Sequence, residues 1–188
     1  STDVIDILSQ VNINDIQITN LSLFQRAFNH KSYCIMKDYE EYTKPPECIE
    51  LQEINYETLE FLGDAMLHAI LADYLYHRYM HEYEGFMTRL RTKLENADAL
   101  ANLCKAIGLH EYLLISRAME IHDARVTNIS ILEDAFESFL GALYLDTNFL
   151  VCKRFMRYIL NNYIDYSDLL YNDDNRVGCG CGGGGGGG

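Results

Sequence analysis

The stretch NYETLEFLGDAM, residues 55–66, places two carboxylates inside an otherwise apolar helical segment. Glu60 and Asp64 stand four positions apart, and apolar residues continue at helical spacing to about position 79. Since an α-helix completes a turn in about 3.6 residues, both carboxylates lie on one face, one turn apart. Acids within a core-type pattern indicate a functional site, whereas a solvated helix face is the ordinary alternative for a single such pair.

A second segment, ILEDAFESFLGALYL (131–145), repeats this arrangement with Asp134 and Glu137, three positions apart. Gly63 and Gly141 lie inside the two predicted helices, where a glycine costs about 1 kcal/mol relative to alanine. Glycine allows close approach of another backbone, which offsets that cost where two helices cross. If the helices cross near these glycines, the four carboxylates converge.

Converging carboxylates in a partly buried site cannot all stay ionised without cations or protons. Hard oxygen ligands suit Mg²⁺, for which Mn²⁺ can substitute. Divalent cations about 3.5–4 Å apart serve phosphodiester hydrolysis by activating the attacking water and stabilising the leaving 3′ oxygen. The predicted metal ligands are Glu60, Asp64, Asp134 and Glu137.

Two neighbouring residues are expected to have ordinary structural roles. Glu133 is expected to point away from the face of Asp134 and Glu137 and to be solvated. His68 is expected to be a core residue, because a lone histidine on an apolar helix is usually a packed residue with a satisfied hydrogen bond.

Composition predicts one globular domain. The chain has 188 residues, of which 48% are hydrophobic, and a formal net charge of −13. That charge argues against a protein whose whole surface binds nucleic acid electrostatically. No apolar run has the length of a membrane span, the first ten residues do not resemble a signal peptide, and the cysteines form no C-x-x-C pair. These features predict a soluble, intracellular, cytoplasmic protein, with Cys104 and Cys152 as buried thiols.

Helical periodicity continues along the rest of the chain, and no convincing strand appears, so the predicted fold class is all-α. Capping and stop residues set the expected helix ends. The expected starts are Ser22 before LFQRAFN, Asn96 before ADALANLCKAI, Asn128 before ILEDAFESFLGALYL, and Thr147 or Asn148 before FLVCKRFMRYILNNY. Gly108 is expected to end the helix that Asn96 starts, and the long helix is expected to run from about 55 to about 79. EGFMTRLRTKL is predicted to form one more helix. A loop is predicted over KDYEEYTKPPE (37–47), and the Gly-rich tail (171–188) is expected to be flexible or artefactual, leaving residues 1–170 as the domain.

Several motifs together resemble the ribonuclease III family. LEFLGDA (59–65) resembles the family signature, and LFQRAFNHKSY (23–33) resembles its opening helix and His-x-Ser element, which assigns His30 a structural role. The segment 84–116 resembles the middle helices, and ILEDAFESFLGALYLD (131–146) resembles the second catalytic helix. The resemblance covers about residues 20–163 in the family's order.

This resemblance implies a helical, homodimeric nuclease domain that hydrolyses double-stranded RNA to 5′-phosphate and 3′-hydroxyl ends with two-nucleotide 3′ overhangs. By resemblance, Glu60, Asp134 and Glu137 hold magnesium, and Asp64 and Glu137 are directly catalytic. Glu57 and Glu84 match acids that line the family's cleft. The candidate phosphate contacts are Arg89, Arg91 and Lys93, for which a solvated helix face is the alternative.

Departures from the family pattern leave other functions open. Thr58 replaces a common arginine, Glu95 replaces an aliphatic residue, and the sequence ends soon after Tyr163, where most members continue into a double-stranded-RNA-binding domain. One rival is a non-catalytic RNA-binding or scaffold protein on the same fold, although such members lose the acids that this chain keeps. Another is a phosphohydrolase acting on small phosphates, for which the sequence lacks a His-Asp signature.

Overall fold

The computed structural model describes residues 2–10, 13, 15–34, 46 and 49–171. Among these residues it contains α-helices and two short 3₁₀ turns, but no strand, only isolated bridges between Asn29 and Leu114 and between Cys34 and Gln52. The all-α prediction is confirmed. The helices are α1 (Thr2–Gln10), α2 (Leu21–Ala27), α3 (Glu57–Arg78), α4 (Glu84–Leu94), α5 (Ala97–Ala106), α6 (Arg117–Ile121), α7 (Ala124–Thr127), α8 (Ile129–Asp146), α9 (Phe149–Asn162) and α10 (Tyr166–Tyr171).

Helix α8 is the centre of the domain, and α3 is its main partner. The middle of α8 is buried without interruption from Ala135 to Leu143, because α2, α5 and α9 cover the sides that α3 leaves free. A helix that is apolar on all sides requires such a central position.

The crossing of α3 and α8 is a backbone-to-backbone contact. A Cβ atom placed on Gly63 would overlap the carbonyl oxygen of Glu137, and one placed on Gly141 would overlap the carbonyl oxygen of Leu59. The prediction that the two glycines permit a close crossing is confirmed. The contact fixes how the acid-bearing turns of the two helices face each other.

Most of the predicted caps are confirmed. Asn96, Asn128 and Asn148 accept hydrogen bonds from the first turns of α5, α8 and α9, with the Asn96 oxygen 2.9 Å from the nitrogen of Ala99. Gly108 ends the segment after α5 with a φ of 77°, a left-handed conformation that glycine adopts without strain.

Ser22 is not the cap of α2. It lies inside the first turn, and the helix starts at Leu21 after Asn20. The chain is held before this point by the carboxylate of Asp146, which accepts a hydrogen bond from the backbone N–H of Asn20 at 2.8 Å. A contact with the end of α8, distant in sequence, therefore sets the start of α2.

Two predicted segments lie mostly or wholly outside the residues that the structure describes. Apart from Pro46, the predicted loop 37–47 lies outside the described residues, as does the Gly-rich tail from 172 onwards. Cys104 and Cys152 are buried free thiols, as predicted. Among the described residues, no helix combines the length and apolar character that a membrane span requires.

Replacing Gly63 by alanine is expected to destabilise the domain strongly, because the added methyl group meets backbone atoms of α8 that cannot move independently. Overpacking of this kind typically costs about 1–3 kcal/mol or more. Gly85→Ala is the matched control, since a Cβ at this position in α4 meets no atom closer than 3.7 Å. Urea denaturation should show a large loss for Gly63→Ala and none for Gly85→Ala; equal stabilities would contradict the close crossing.

Candidate active site

The four predicted acids lie on the two helices that cross at Gly63 and Gly141. Glu60 and Asp64 occupy the first two turns of α3, and Asp134 and Glu137 occupy the first half of α8. The Glu137 backbone touches α3 at Gly63, between Glu60 and Asp64. The crossing thus brings the two acidic pairs to one side of the helix pair. Glu137 is the most enclosed of the four, with only 8% of its surface exposed.

The four carboxylates lie close enough to influence one another's pKa. Burial raises the pKa of Glu137 to about 8, and the negative charges of Asp64 and Glu133 add to the effect. Burial also raises the pKa of Glu60, with a further contribution from Asp134. Without cations, Glu137 holds its proton near neutral pH, as expected for an acid in a low-dielectric environment beside other negative charges.

The carboxylates do not stand in a closed ligand geometry. Among the described residues, no three His, Cys, Asp or Glu side chains are arranged so that they could enclose a metal ion. The acids therefore share a surface without converging on one point.

Tyr56 is a site residue that the sequence reasoning missed. It precedes α3, is only 2% exposed, and donates a hydrogen bond from its hydroxyl to Oδ2 of Asp134 at 2.9 Å. Burial, together with the charge of Asp134, raises the pKa of Tyr56, so the phenol remains a donor. No local pattern could have predicted this contact, because its partners lie 78 positions apart.

Lys31 provides positive charge beside the acids, and the sequence reasoning missed it too. Its Nζ lies 3.5 Å from Oε1 of Glu57. Burial raises the pKa of Asp134, and the hydrogen bond from Tyr56 and the charge of Lys31 oppose that increase. Glu57, predicted as a supporting acid, therefore lies at the edge of the acidic group.

Glu84 lies apart from these acids. It starts α4, accepts a hydrogen bond from Thr88 at 2.7 Å, and lines a hollow of about 250 Å³ with Ala72 and Tyr76. Ala72 is twelve residues beyond Glu60 on α3, about 18 Å along the helix axis at 1.5 Å per residue. Within one copy of the chain, Glu84 is not part of the acidic group.

The prediction that Glu133 is a solvated residue pointing away from the site is wrong. Glu133 is half-buried, and burial together with the charges of Asp134 and Asp64 raises its pKa. It precedes Glu137 by one helical turn, the same spacing as Glu60 and Asp64, so it shares a face with Glu137. That spacing was the signal in the sequence that could have identified it.

The prediction for His68 is also wrong, while that for His30 is confirmed. His68 is exposed, with Nδ1 3.2 Å from Oε2 of Glu95, because it follows Leu67 by about 100° around α3 and leaves the core side. His30 accepts a hydrogen bond from the backbone N–H of Ser32 at 3.0 Å and caps a 3₁₀ turn.

The candidate phosphate contacts do not form one continuous strip. Arg89 is exposed, whereas Nε of Arg91 lies 3.6 Å from Glu95. Lys93 donates to the carbonyl oxygen of Leu169 at 2.6 Å. Since residues two positions apart differ by about 200° around a helix, Arg91 lies on the side opposite Arg89 and Lys93.

In metal-free protein, stability is expected to fall as pH rises from about 4.5 to about 8. Glu137 has a pKa of about 8 in the fold against an ordinary value of 4.5, so between these values the folded state holds a proton that the unfolded chain releases. The loss is on the order of a few kcal/mol, since one pKa unit corresponds to about 1.4 kcal/mol. Urea denaturation in chelator across this pH range measures it, and Glu137→Gln should flatten the profile; a wild-type stability that increases over the range would contradict the assignment.

The amino-acid sequence of this chain is similar to ribonuclease III sequences. A family model described as ribonuclease-III-like matches residues 20–163. A probable ribonuclease 3 of Acanthamoeba polyphaga mimivirus is 37% identical over 158 residues, which are 83% of this chain and 29% of that protein. Ribonuclease 3 of Borreliella afzelii (strain PKo) is 34% identical over 149 residues, 79% of this chain and 56% of that protein. The chain thus spans less than two thirds of either relative.

Solved structures agree with the sequence relatives. The nuclease domain of ribonuclease III from Campylobacter jejuni matches with a TM-score of 0.67 and 28% identity, over 88% of this chain and 100% of that chain. A second structure of that domain, described for structural flexibility in a region involved in dimer formation, gives a TM-score of 0.66 and 29% identity over 84% of this chain and 96% of that one. By sequence match and by fold, the chain belongs to the ribonuclease III family.

Proposed function

We propose that this chain is the nuclease domain of a divalent-metal-dependent endoribonuclease that hydrolyses double-stranded RNA. The observation that carries the proposal is the pairing of Glu60 and Asp64 with Asp134 and Glu137 across the α3–α8 crossing, where their mutual repulsion and burial favour bound cations. The expected products carry 5′ phosphates and 3′ hydroxyls with two-nucleotide 3′ overhangs. The described cysteines Cys34, Cys104 and Cys152 are all free, which fits action in the reducing cytoplasm.

The donor chemistry of the residues present fits a magnesium site, in which manganese can substitute. The proposed ligands are Glu60, Asp64, Asp134 and Glu137, all of them hard oxygen donors. When bound, the divalent cations supply Lewis acidity that lowers the pKa of a coordinated water and stabilises the leaving oxygen. Glu137 would then release the proton that burial otherwise holds on its carboxyl group.

Asp64 and Glu137 differ in exposure, and this difference separates their proposed roles. Asp64 is exposed and open to the substrate, whereas Glu137 is enclosed and held by the backbone contact at Gly63. We assign both as catalytic, with Glu137 also anchoring the site. Glu57 and Lys31 border the same surface and are supporting groups.

For the RNA, recognition by shape and by 2′-hydroxyl groups suits a protein with a formal charge of −13 better than binding by charge alone. Arg89, Arg91 and Lys93 remain the proposed phosphate contacts. Arg89 is the one whose exposure in a single copy leaves it open to a ligand.

Replacing Glu137 by glutamine is expected to lower kcat for duplex RNA by about a thousandfold or more. The reason is that the four proposed carboxylates act as one unit, so that the loss of one removes most of the effect of all four. The fold should persist, since glutamine has nearly the same volume. Glu82→Gln is the control, because Glu82 is an exposed glutamate between α3 and α4. Initial rates on a labelled duplex measure the effect, and undiminished cleavage by a folded Glu137→Gln protein would exclude the assignment.

We also propose that the active form is a homodimer in which each copy supplies one set of acids. One side of α3 is exposed and apolar over most of its length, with Phe61 78% exposed and Tyr76 58% exposed at its two ends. The α3 stripe consists of Phe61, Ala65, Ala69, Ala72 and Tyr76, all exposed and spaced at helical intervals. In a two-fold symmetric dimer, the α3 stripe of one copy packs against the α3 stripe of the other and buries both.

A cation in the middle of the α3 stripe is expected to separate the copies. Ala69→Arg should sediment as a monomer at concentrations where the wild type is a dimer, because two arginines would meet near the two-fold axis. Ala118→Arg is the matched control on α6, where the alanine is also exposed but lies outside the stripe. Analytical ultracentrifugation distinguishes the variants; a dimeric Ala69→Arg protein would exclude this surface as the interface.

A further inference from the structure

Asp134 differs from the other three proposed ligands in having a fixed side-chain partner. Its Oδ2 accepts a hydrogen bond from the hydroxyl of Tyr56 at 2.9 Å. Within the described residues, no corresponding side-chain hydrogen bond reaches Glu60, Asp64 or Glu137. One carboxylate of the site is therefore held in a set orientation before any cation binds.

The donor is itself held firmly. Tyr56 is 2% exposed, its backbone N–H donates to the carbonyl oxygen of Asn29 at 3.0 Å, and its ring lies 5.8 Å from that of His30. Its carbonyl oxygen accepts from the N–H groups of Leu59 and Glu60, the first turn of α3. Tyr56 thus ties the beginning of α3 to α8 and leaves its hydroxyl little freedom to move away from Asp134.

A hydrogen bond to Oδ2 affects how Asp134 can bind a cation. An oxygen that accepts from a phenol is a weaker metal ligand, so the carboxylate favours coordination through Oδ1 alone. Mg²⁺ requires a compact octahedral shell and accepts carboxylates through one oxygen, whereas Ca²⁺ takes six to eight ligands and often both oxygens of a carboxylate. Groups that orient a ligand from behind commonly change metal affinity by about 10–100-fold.

We propose that Tyr56 is a positioning residue that holds Asp134 for one-oxygen coordination and so makes the site discriminate in favour of Mg²⁺ over Ca²⁺. The inference rests on the proposed function, since it assumes that Asp134 is a metal ligand.

The test is calorimetric titration of EDTA-treated protein with Mg²⁺ and, separately, with Ca²⁺. Tyr56→Phe removes only the hydroxyl, and we expect it to weaken Mg²⁺ binding about tenfold. Ca²⁺ binding should weaken less, or strengthen, so that the ratio of the Ca²⁺ Kd to the Mg²⁺ Kd falls. A purely structural role for Tyr56 would change both affinities in the same proportion.

Tyr74→Phe is the matched control. Tyr74 lies in α3, and its hydroxyl also donates a 2.9 Å hydrogen bond, to Oδ1 of Asn161, away from the acids. This variant should retain the wild-type affinities and their ratio. If it lowers the ratio as much as Tyr56→Phe does, the selectivity does not come from the contact with Asp134 and the inference is overturned.

Asp134→Glu tests the same contact from its other end, and it remains informative if Tyr56→Phe fails to fold. The longer side chain keeps the carboxylate and Tyr56 but displaces the oxygen that the hydroxyl contacts, so the Kd ratio should again fall. An unchanged ratio in a folded Tyr56→Phe or Asp134→Glu protein overturns the inference while leaving the proposed function intact. If the wild type binds no Mg²⁺, both are wrong.

Discussion

The contact between the backbones of α3 and α8 at Gly63 and Gly141 is the constraint on which the site depends. No side chain separates the helices there, so the carbonyl oxygens of Glu137 and Leu59 lie directly against the opposite glycine. A looser crossing would still bury the apolar residues of both helices, but it would move Glu137 away from the turn that carries Glu60 and Asp64. The two glycines therefore reduce the intrinsic stability of the helices while bringing the acids together.

That arrangement has an electrostatic consequence. Burial and mutual repulsion raise the pKa of several of these carboxylates, most of all that of Glu137. An apolar pair of residues at the crossing would be more stable in metal-free protein, so the fold keeps these acids at a cost in stability. Under the proposed function, bound divalent cations would relieve this repulsion, and the same site would serve the hydrolysis of a phosphodiester.

The parts of the structure that depend on local sequence could be predicted. Helical periodicity and asparagine caps gave the all-α class and the starts of α5, α8 and α9, because both are encoded within a few neighbouring residues. The start of α2 could not be predicted, since Asp146 at the end of α8 determines it. Tyr56 was missed for the same reason, as its partner is distant in the chain.

Two errors concern the direction in which a residue on a helix faces. His68 was assigned to the core, but which side of α3 is left uncovered depends on how its neighbours pack around it. Glu133 was assigned to solvent, although its one-turn spacing from Glu137 was visible in the sequence.

The central claim is that the protein cleaves double-stranded RNA with the help of Mg²⁺. The most direct test is incubation of a labelled perfect RNA duplex with the protein, with Mg²⁺ or with chelator. We expect Mg²⁺-dependent cleavage to short duplexes with two-nucleotide 3′ overhangs; bound but uncut RNA in the presence of Mg²⁺ would contradict it.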